Sequence, residues 1–266
     1  MPLNNPIHNL SIAVTAQNPA FSCRARDLAG KLQIPFTKNG GKYQWLLYFS
    51  ENGIGLIHQG SPQVKGCIRV DFTDAQALYR RKQAKKEILA QAVGCKKGKT
   101  LSVVDGTGGL GRDSFILATA GCRVTVFERH PVIAALLADG LTRANATPLT
   151  RDISRYIHLI NDNFVSFRQY HQELGHVDVV YLDPMFPARK KSAKVKKELQ
   201  TLQMLAEIED DFTPLLHTAL SMAVNRVVVK RPRKAPPLTN IVPSHSINAK
   251  TIRFDVYIIN NLPAVA

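Results

Sequence analysis

The chain has 266 residues, 45% of them hydrophobic and 21% charged, an ordinary composition for a protein that buries one large core or a core with an appendage. Thirty-five Lys and Arg against twenty Asp and Glu leave a net charge of +15, an excess that favours a polyanionic partner, nucleic acid first among them. No run approaches the roughly eighteen consecutive apolar residues of a membrane span, and the start MPLNNPIHNL lacks the charged and apolar regions of a secretion signal, so a cytoplasmic protein that contacts no membrane is expected.

Residues 1–73 hold short strand-like runs, SIAVT, YQWLLYF, GIGLIH and CIRVDF, separated by the turn signals NGG and GSP, and are expected to form a small N-terminal lobe. From Asp74, placed as an N-cap, to Val93 the spacing of Ala77, Ala84, Ile88 and Ala92 predicts a helix. Its other positions carry Arg80, Arg81, Lys82, Lys85 and Lys86, so residues 74–99 read as a basic connector whose charge is either a solvated face or part of a nucleic-acid footprint. Residues 100–266 alternate apolar runs with helical ones: LSVVD, then 111–120; CRVTVFE, then 131–145; YIHLIN; VDVVYLD, then about 195–221; NRVVVK; and TIRFDVYII. This order predicts a catalytic domain built on a parallel sheet covered on both faces and wound by right-handed crossovers. Ligands in such sheets sit at the carboxyl ends of the strands, and Asp105, Glu128 and Asp183 each close one of them. Cys23, Cys67, Cys95 and Cys122 form no CxxC pair and the eight histidines no ligand pattern; the cysteines are expected to be reduced and mostly buried, with no metal.

VVDGTGGLGRD, residues 103–113, is a glycine-rich turn between a strand and a helix. Gly106-x-Gly108-x-x-Gly111 alone also fits a dinucleotide-binding fingerprint, or a tight turn with no ligand. Asp105 and Asp113 bracket the turn, and a unit charge pair at 4 Å is worth about 4 kcal/mol at an effective dielectric of 20, so a pyrophosphate would be repelled. S-adenosylmethionine carries a sulfonium and an ammonium and no phosphate, and suits acids beside a glycine turn. Glu128 would then accept from both ribose hydroxyls; its bland alternative is a surface ion pair with Arg129 or Arg112.

Asp183-Pro184-Met185-Phe186 resembles the Asn/Asp-Pro-Pro-Tyr/Phe motif of methyltransferases acting on exocyclic amines of bases. An aryl amine is a poor nucleophile, because its lone pair is delocalised, so a site must hold its hydrogens and aim the lone pair. Asp183 and the carbonyl of Pro184 supply two acceptors, and Phe186 a face on which an extruded base stacks. The alternative is a Pro-rich turn with Phe186 filling a core gap.

Through VVDGTGGLGRDSF, GCRVTVFERHPVIAALLADGL, VVYLDPMFP, KSAKVKKE and RVVVKRPRKAPPL, spread over most of residues 74–259, the sequence resembles the ribosomal RNA small subunit methyltransferase J family. The resemblance implies an α/β, Rossmann-like class I S-adenosylmethionine-dependent methyltransferase fold with a small N-terminal α+β lobe. It also implies methyl transfer to the N2 of a guanine in small-subunit ribosomal RNA, free or in the small ribosomal subunit, with S-adenosylhomocysteine as product. At matching positions it implies cofactor contact by Arg112, Asp113, Glu128, Arg129, Asn163, Phe164 and Asp183, and the glycine turn itself adds Asp105, Gly109 and Gly111 as expected cofactor contacts. Thr107 stands where the broader methyltransferase motif has its first glycine, Met185 where the amine-methylating motif has a second proline, and Asn163 and Phe164 where the family usually has small hydroxyl residues.

Two basic tracts follow strands of this domain. Arg189, Lys190, Lys191, Lys194, Lys196 and Lys197 lie after DPMFP, and Lys230, Arg231 and Arg233 end the fifth strand run. Loops after parallel strands end beside the crevice, so both tracts are expected to contact RNA phosphates. Two other classes stay open: a nicotinamide-dependent oxidoreductase, which leaves DPMFP and the charge without an account, and a non-catalytic RNA-binding assembly factor, which has no need of three acids at strand ends.

Overall fold

The computed structural model describes Ile7 and residues 10–59, 66–185, 204–205 and 211–261. These fall into two compact units, one drawn from Met1–Asp71, His130–Arg143 and Met185–Ile208, the other from Phe72–Arg129, Ala144–Pro184 and Glu209–Ala266.

In the first unit, β1 (Ile12–Ala16), β2 (Trp45–Ser50), β3 (Gly53–His58) and β4 (Cys67–Ile68) form a sheet in that order, with β1 parallel to β2 and the other pairs antiparallel. The four strand runs read from the sequence fall on these strands. The parallel step is made by a helix that the strand pattern did not predict, α1 (Ser22–Leu32). Its buried stripe is Ala25, Ala29 and Leu32, at i, i+4 and i+7, but two of the three are alanine, too small to stand out as an apolar periodicity. The two-residue turn between β2 and β3 ends at Gly53, whose φ of +91° favours glycine; a Cβ there would meet Arg143 Nε and Asp139 Oδ2, both at 2.4 Å. That aspartate, on α5 (Pro131–Ala146), accepts from the Ile54 N–H at 3.0 Å and from Arg143 Nε at 2.8 Å, fixing the hairpin to the helix.

The second unit opens with α2 (Ala75–Gln83) and α3 (Ile88–Val93). Asp74 is the N-cap, accepting from the Ala77 N–H at 2.6 Å. The single helix expected over 74–93 is broken at Glu87, whose backbone is extended and whose carboxylate binds Arg80 at 3.0 Å. The main sheet has seven strands in the order β10-β11-β9-β8-β5-β6-β7: β5 (Ser102–Asp105), β6 (Arg123–Phe127), β7 (Ile157–Ile160), β8 (Val179–Leu182), β9 (Arg226–Pro232), β10 (His245–Asn248) and β11 (Ile252–Ile258). Helix α4 (Arg112–Thr119) follows β5, α5 follows β6, the short α6 (Arg151–Ser154) precedes β7, the short α7 (His171–Leu174) precedes β8 and α8 (Thr213–Met222) precedes β9. Of the helix expected over 195–221, residues 195–203 and 206–210 lie outside the described residues.

Strands β5 to β9 are parallel to one another, and Val103, Val104, Val126, Val180, Leu182, Val228 and Val229 are all at most 1% exposed, which is why these strands read as unbroken apolar runs. The sheet is nevertheless mixed, not wholly parallel as expected. β11 runs antiparallel to β9, and β10, absent from the predicted strands, pairs antiparallel with β11. Only three residues join β10 to β11, enough for a hairpin and far too few for a crossover. β10 is mostly exposed, so HSIN carries no apolar signal. The cysteine expectation also needs correcting: Cys122 is buried, Cys95 half-buried, and Cys23 and Cys67 are exposed, all four as free thiols.

Candidate functional site

Neighbouring strands β5 and β8 lead away to opposite sides of the sheet, β5 to β6 and β8 to β9, which makes their carboxyl ends the place where the topology opens a crevice. The turn after β5 is held there by its own glycines. Gly109 and Gly111 have φ of +54° and +70°, and Gly111 caps α4. A Cβ on Gly108 would lie 2.2 Å from Val126 Cγ1, and one on Gly106 would lie 2.8 Å from Leu182 and from the Phe164 ring. The Gly108 N–H reaches the Phe127 carbonyl at 2.8 Å, and the Gly109 N–H donates to Glu128 Oε2 at 2.7 Å. Glu128 therefore braces the turn as well as closing β6, and Asn161 Nδ2 holds its carbonyl at 2.7 Å.

Thr107 ties this turn to β8. Its hydroxyl oxygen accepts the Asp183 N–H at 2.6 Å, while its own N–H donates to Asp105 Oδ1 at 3.1 Å. A glycine, which the broader motif places here, has no side-chain oxygen for that bond. Asp105 is 2% exposed and also accepts from the Ser114 hydroxyl. Burial pushes its carboxyl up to about 7, against the Ser114 and Thr107 bonds, with the charges of Asp113 and Asp183 adding to the rise.

The most connected group is Asp113 on α4. It accepts from Tyr181 Oη at 2.8 Å, Lys230 Nζ at 2.8 Å and Arg80 Nη2 at 3.2 Å. Burial would raise its pKa, but Lys230 first and then Arg80 outweigh burial and hold it below the usual carboxylate range. Lys230 Nζ also lies 2.7 Å from Asp183 Oδ2, so one ammonium bridges two acids. Asp183 remains above its ordinary value because burial and the Asp113 charge exceed the opposing effect of Lys230.

Residues 27–259 match a family of SAM-dependent methyltransferases. Two curated relatives, both called ribosomal RNA small subunit methyltransferase J, are similar over nearly the whole chain. The one from Thioalkalivibrio sulfidiphilus is 45% identical over 88% of this chain and 92% of its own, and the one from Colwellia psychrerythraea 44% identical over 96% of each. The chain belongs to the ribosomal RNA small subunit methyltransferase J family. A crystal structure of a SAM-dependent methyltransferase from Neisseria gonorrhoeae, 33% identical, superposes with a TM-score of 0.73 over 94% of this chain and 97% of its own. The fold of this methyltransferase J family member is thus the Rossmann-like fold of S-adenosylmethionine-dependent methyltransferases, and S-adenosylmethionine is its cofactor.

The residues fit that cofactor. Gly106 and Gly108 let the turn pack directly on Leu182, Phe164 and Val126, which keeps its backbone at the strand ends, and the carboxylates around it suit a ligand carrying sulfonium and ammonium charges. Of the residues expected at the cofactor, the structure links Asp105, Asp183 and Asp113 in one hydrogen-bonded chain through Thr107 and Lys230, bonds Gly109 to Glu128, and places Gly111 as the cap of α4. Arg112, the first residue of α4, and Arg129, just after β6, are exposed. Asn163 caps the following turn by accepting from the Val165 N–H at 3.0 Å. Phe164 is 2% exposed and packs its ring on Phe127 and Phe167, so its ring serves the core and not a ligand. Pro184 is buried. Phe186 and the tract from Arg189 to Lys197 lie outside the described residues.

The second basic tract divides. Lys230, expected at RNA, is bound to Asp113 and Asp183; Arg231, 5% exposed, donates through Nε and Nη2 to the Pro236 carbonyl at 3.1 and 2.7 Å; Arg233 is exposed. Alternation along β9 explains this division, since 230 and 231 point to opposite faces of the sheet and both are enclosed. Sequence reasoning missed Thr107, Ser114, Tyr181 and Arg80 as parts of the site. Thr107 had a signal in its departure from the glycine motif; Arg80 was hidden among the basic residues of α2.

Proposed function

We propose that the chain transfers the methyl group of S-adenosylmethionine to the exocyclic N2 of a guanine in small-subunit ribosomal RNA. The names of its relatives, ribosomal RNA small subunit methyltransferases, support the RNA class. The observation that carries the amine is the Asp183–Pro184 pair directly after β8: Asp183 has Oδ2 committed to Lys230, no described residue donates to Oδ1, and 38% of its side chain is exposed. When bound, S-adenosylmethionine supplies an electrophilic methyl carbon. The chain's part is to hold the nucleophile. Asp183 Oδ1 and the Pro184 carbonyl accept the two amine N–H bonds, which localises the lone pair on nitrogen and aims it at the methyl carbon, and Phe186 stacks on the extruded base. Methylation leaves the nitrogen cationic and strongly acidic, so its proton passes readily to Asp183, whose proton affinity burial raises, or to water. Glu128 and the amides of the glycine turn hold the cofactor, and Asp105 and Asp113 offer negative charge.

The excess of positive charge fits an RNA partner, with Arg189, Lys190, Lys191, Lys194, Lys196, Lys197 and Arg233 as phosphate contacts. The test is transfer from labelled cofactor to ribosomal RNA lacking its modifications, followed by nucleoside analysis. Labelled N2-methylguanosine is expected; labelled N6-methyladenosine would overturn the substrate, and no labelled base at all would overturn the reaction.

A further inference from the structure

We propose that Lys230 is a positioning residue for methyl transfer: by bridging Asp113 and Asp183 it fixes the acceptor carboxylate in one orientation and keeps it ionised when the amine arrives. The proposal rests on the methyl-transfer reading of Asp183 and deepens it. Asp183 follows β8, Asp113 lies in the first turn of α4 and Lys230 in β9, so three elements converge on one ammonium with contacts of 2.8 and 2.7 Å. Thr107 fixes the backbone of Asp183 through its N–H, Lys230 holds Oδ2, and the side chain is 38% exposed, which leaves Oδ1 as the oxygen for the amine. Asp113 in turn cannot follow the lysine away, because Tyr181 Oη and Arg80 Nη2 hold it from the other sides.

The charges explain why a cation is required there. The groups that influence Asp183 are Asp105 from the end of β5, Asp113 from α4, Thr107 from the turn and Lys230 from β9, with Tyr181 and Arg80 acting through Asp113. Two of these are acids, and burial adds to their effect. Lys230 is the cation in direct contact with Asp183 among the described residues, and its own affinity for a proton is raised by the two carboxylates despite burial. Removing it leaves Asp183 next to Asp113 with no cation of its own among the described residues, Arg80 offsetting only the charge of Asp113, so a proton would settle on Asp183. A protonated carboxyl offers a poorer acceptor, and its hydrogen competes with the amine. Because its ammonium is held by Asp113 and Asp183, Lys230 within β9 acts on the chemistry and is not part of the phosphate footprint.

The variants are Lys230→Met, which keeps the length and drops the charge, Lys230→Gln, and Lys230→Arg, which keeps charge and two donors. Turnover on unmodified ribosomal RNA is measured from pH 6 to 9, alongside the affinity for RNA at several salt concentrations. The Asp183 side-chain carboxyl is titrated by carbon NMR in the ligand-free protein. Lys230→Met and Lys230→Gln are expected to lose turnover at neutral pH and to recover it as pH rises, the acidic limb moving up with about a tenfold loss per pH unit below it. Lys230→Arg should restore most of the neutral activity, and the salt slope of RNA binding should be the same in all three variants and the wild type. The Asp183 titration should move up in the Met and Gln variants. A pH profile that is merely scaled down, or an unmoved Asp183 titration, overturns the proposal, as does a salt slope reduced by one contact. If Lys230→Met does not fold, the Gln variant and the wild-type titration still decide it. Wild type that fails to methylate RNA refutes the methyl-transfer reading instead, and the NMR titration then tests the bridge by itself.

Discussion

Glu128→Ala removes one side chain with two tasks. Its Oε2 accepts the Gly109 N–H at 2.7 Å, and the residue is 8% exposed, so the bond is made to a charged group largely shielded from water. A hydrogen bond to a charged partner contributes about 1.5 to 3 kcal/mol, which at about 1.4 kcal/mol per tenfold is a loss of roughly 10- to 150-fold in affinity if the bond is one made to the ribose. Losing the Gly109 brace adds a second effect, because Gly109, at φ +54°, loses the acceptor that holds its N–H. Calorimetric titration with S-adenosylhomocysteine separates the two when Glu128→Gln is included. The amide oxygen still accepts from Gly109, so Gln should keep the melting temperature near wild type and show a smaller affinity loss, while Ala should lose on both counts. Undiminished S-adenosylhomocysteine affinity in Glu128→Ala would falsify the assignment of Glu128 to the cofactor.

Gly108→Ala should abolish S-adenosylhomocysteine binding and cost about 1 to 3 kcal/mol of stability, because its Cβ would lie 2.2 Å from Val126 Cγ1; chemical denaturation with wild-type midpoint would contradict the packing. Asp183→Ala should abolish turnover and Asp183→Asn, which keeps an acceptor oxygen, should retain more; equal, undiminished rates would show that the amine is held elsewhere. Asp105 titrates at about 7 when folded and near 4 when unfolded, so the folded state binds the extra proton between those values and stability should fall as pH rises from about 4 to 7. Asp105→Asn should flatten that slope in melting experiments, and an unchanged slope would mean that Asp105 ionises freely. Replacing Lys190, Lys191 and Lys194 by Gln should weaken RNA binding and reduce the slope of log affinity against log salt by about 0.7 to 0.9 per lost contact; an unaltered slope and affinity would leave those charges as a solvated surface.

The central strands, the glycine turn and the acids closing β5, β6 and β8 were legible because each is a local pattern: an apolar run, a set of positions that reject a Cβ, a carboxylate where a strand stops. Asp74 as a cap was legible for the same reason. Helix α1 was not, since a stripe with two alanines buries too little to mark its period, and β10 was not, since an edge strand with one face in water needs no apolar side chains.

What the sequence by itself determined was therefore the order of the central strands β5 to β9 and the acids that stand at their ends. Only the tertiary structure decided which of those groups act together. Lys230 meets Asp113 across 117 residues, Tyr181 meets it across 68 and Arg80 across 33, and Thr107 meets Asp183 across 76. A basic residue in a run of basic residues looks the same whether it faces phosphate or carboxylate. Its meaning is set by the alternating faces of β9, which turn Lys230 to the acids and Arg231 to the Pro236 carbonyl, and by the low-dielectric surroundings that make one ammonium between two carboxylates worth holding in place.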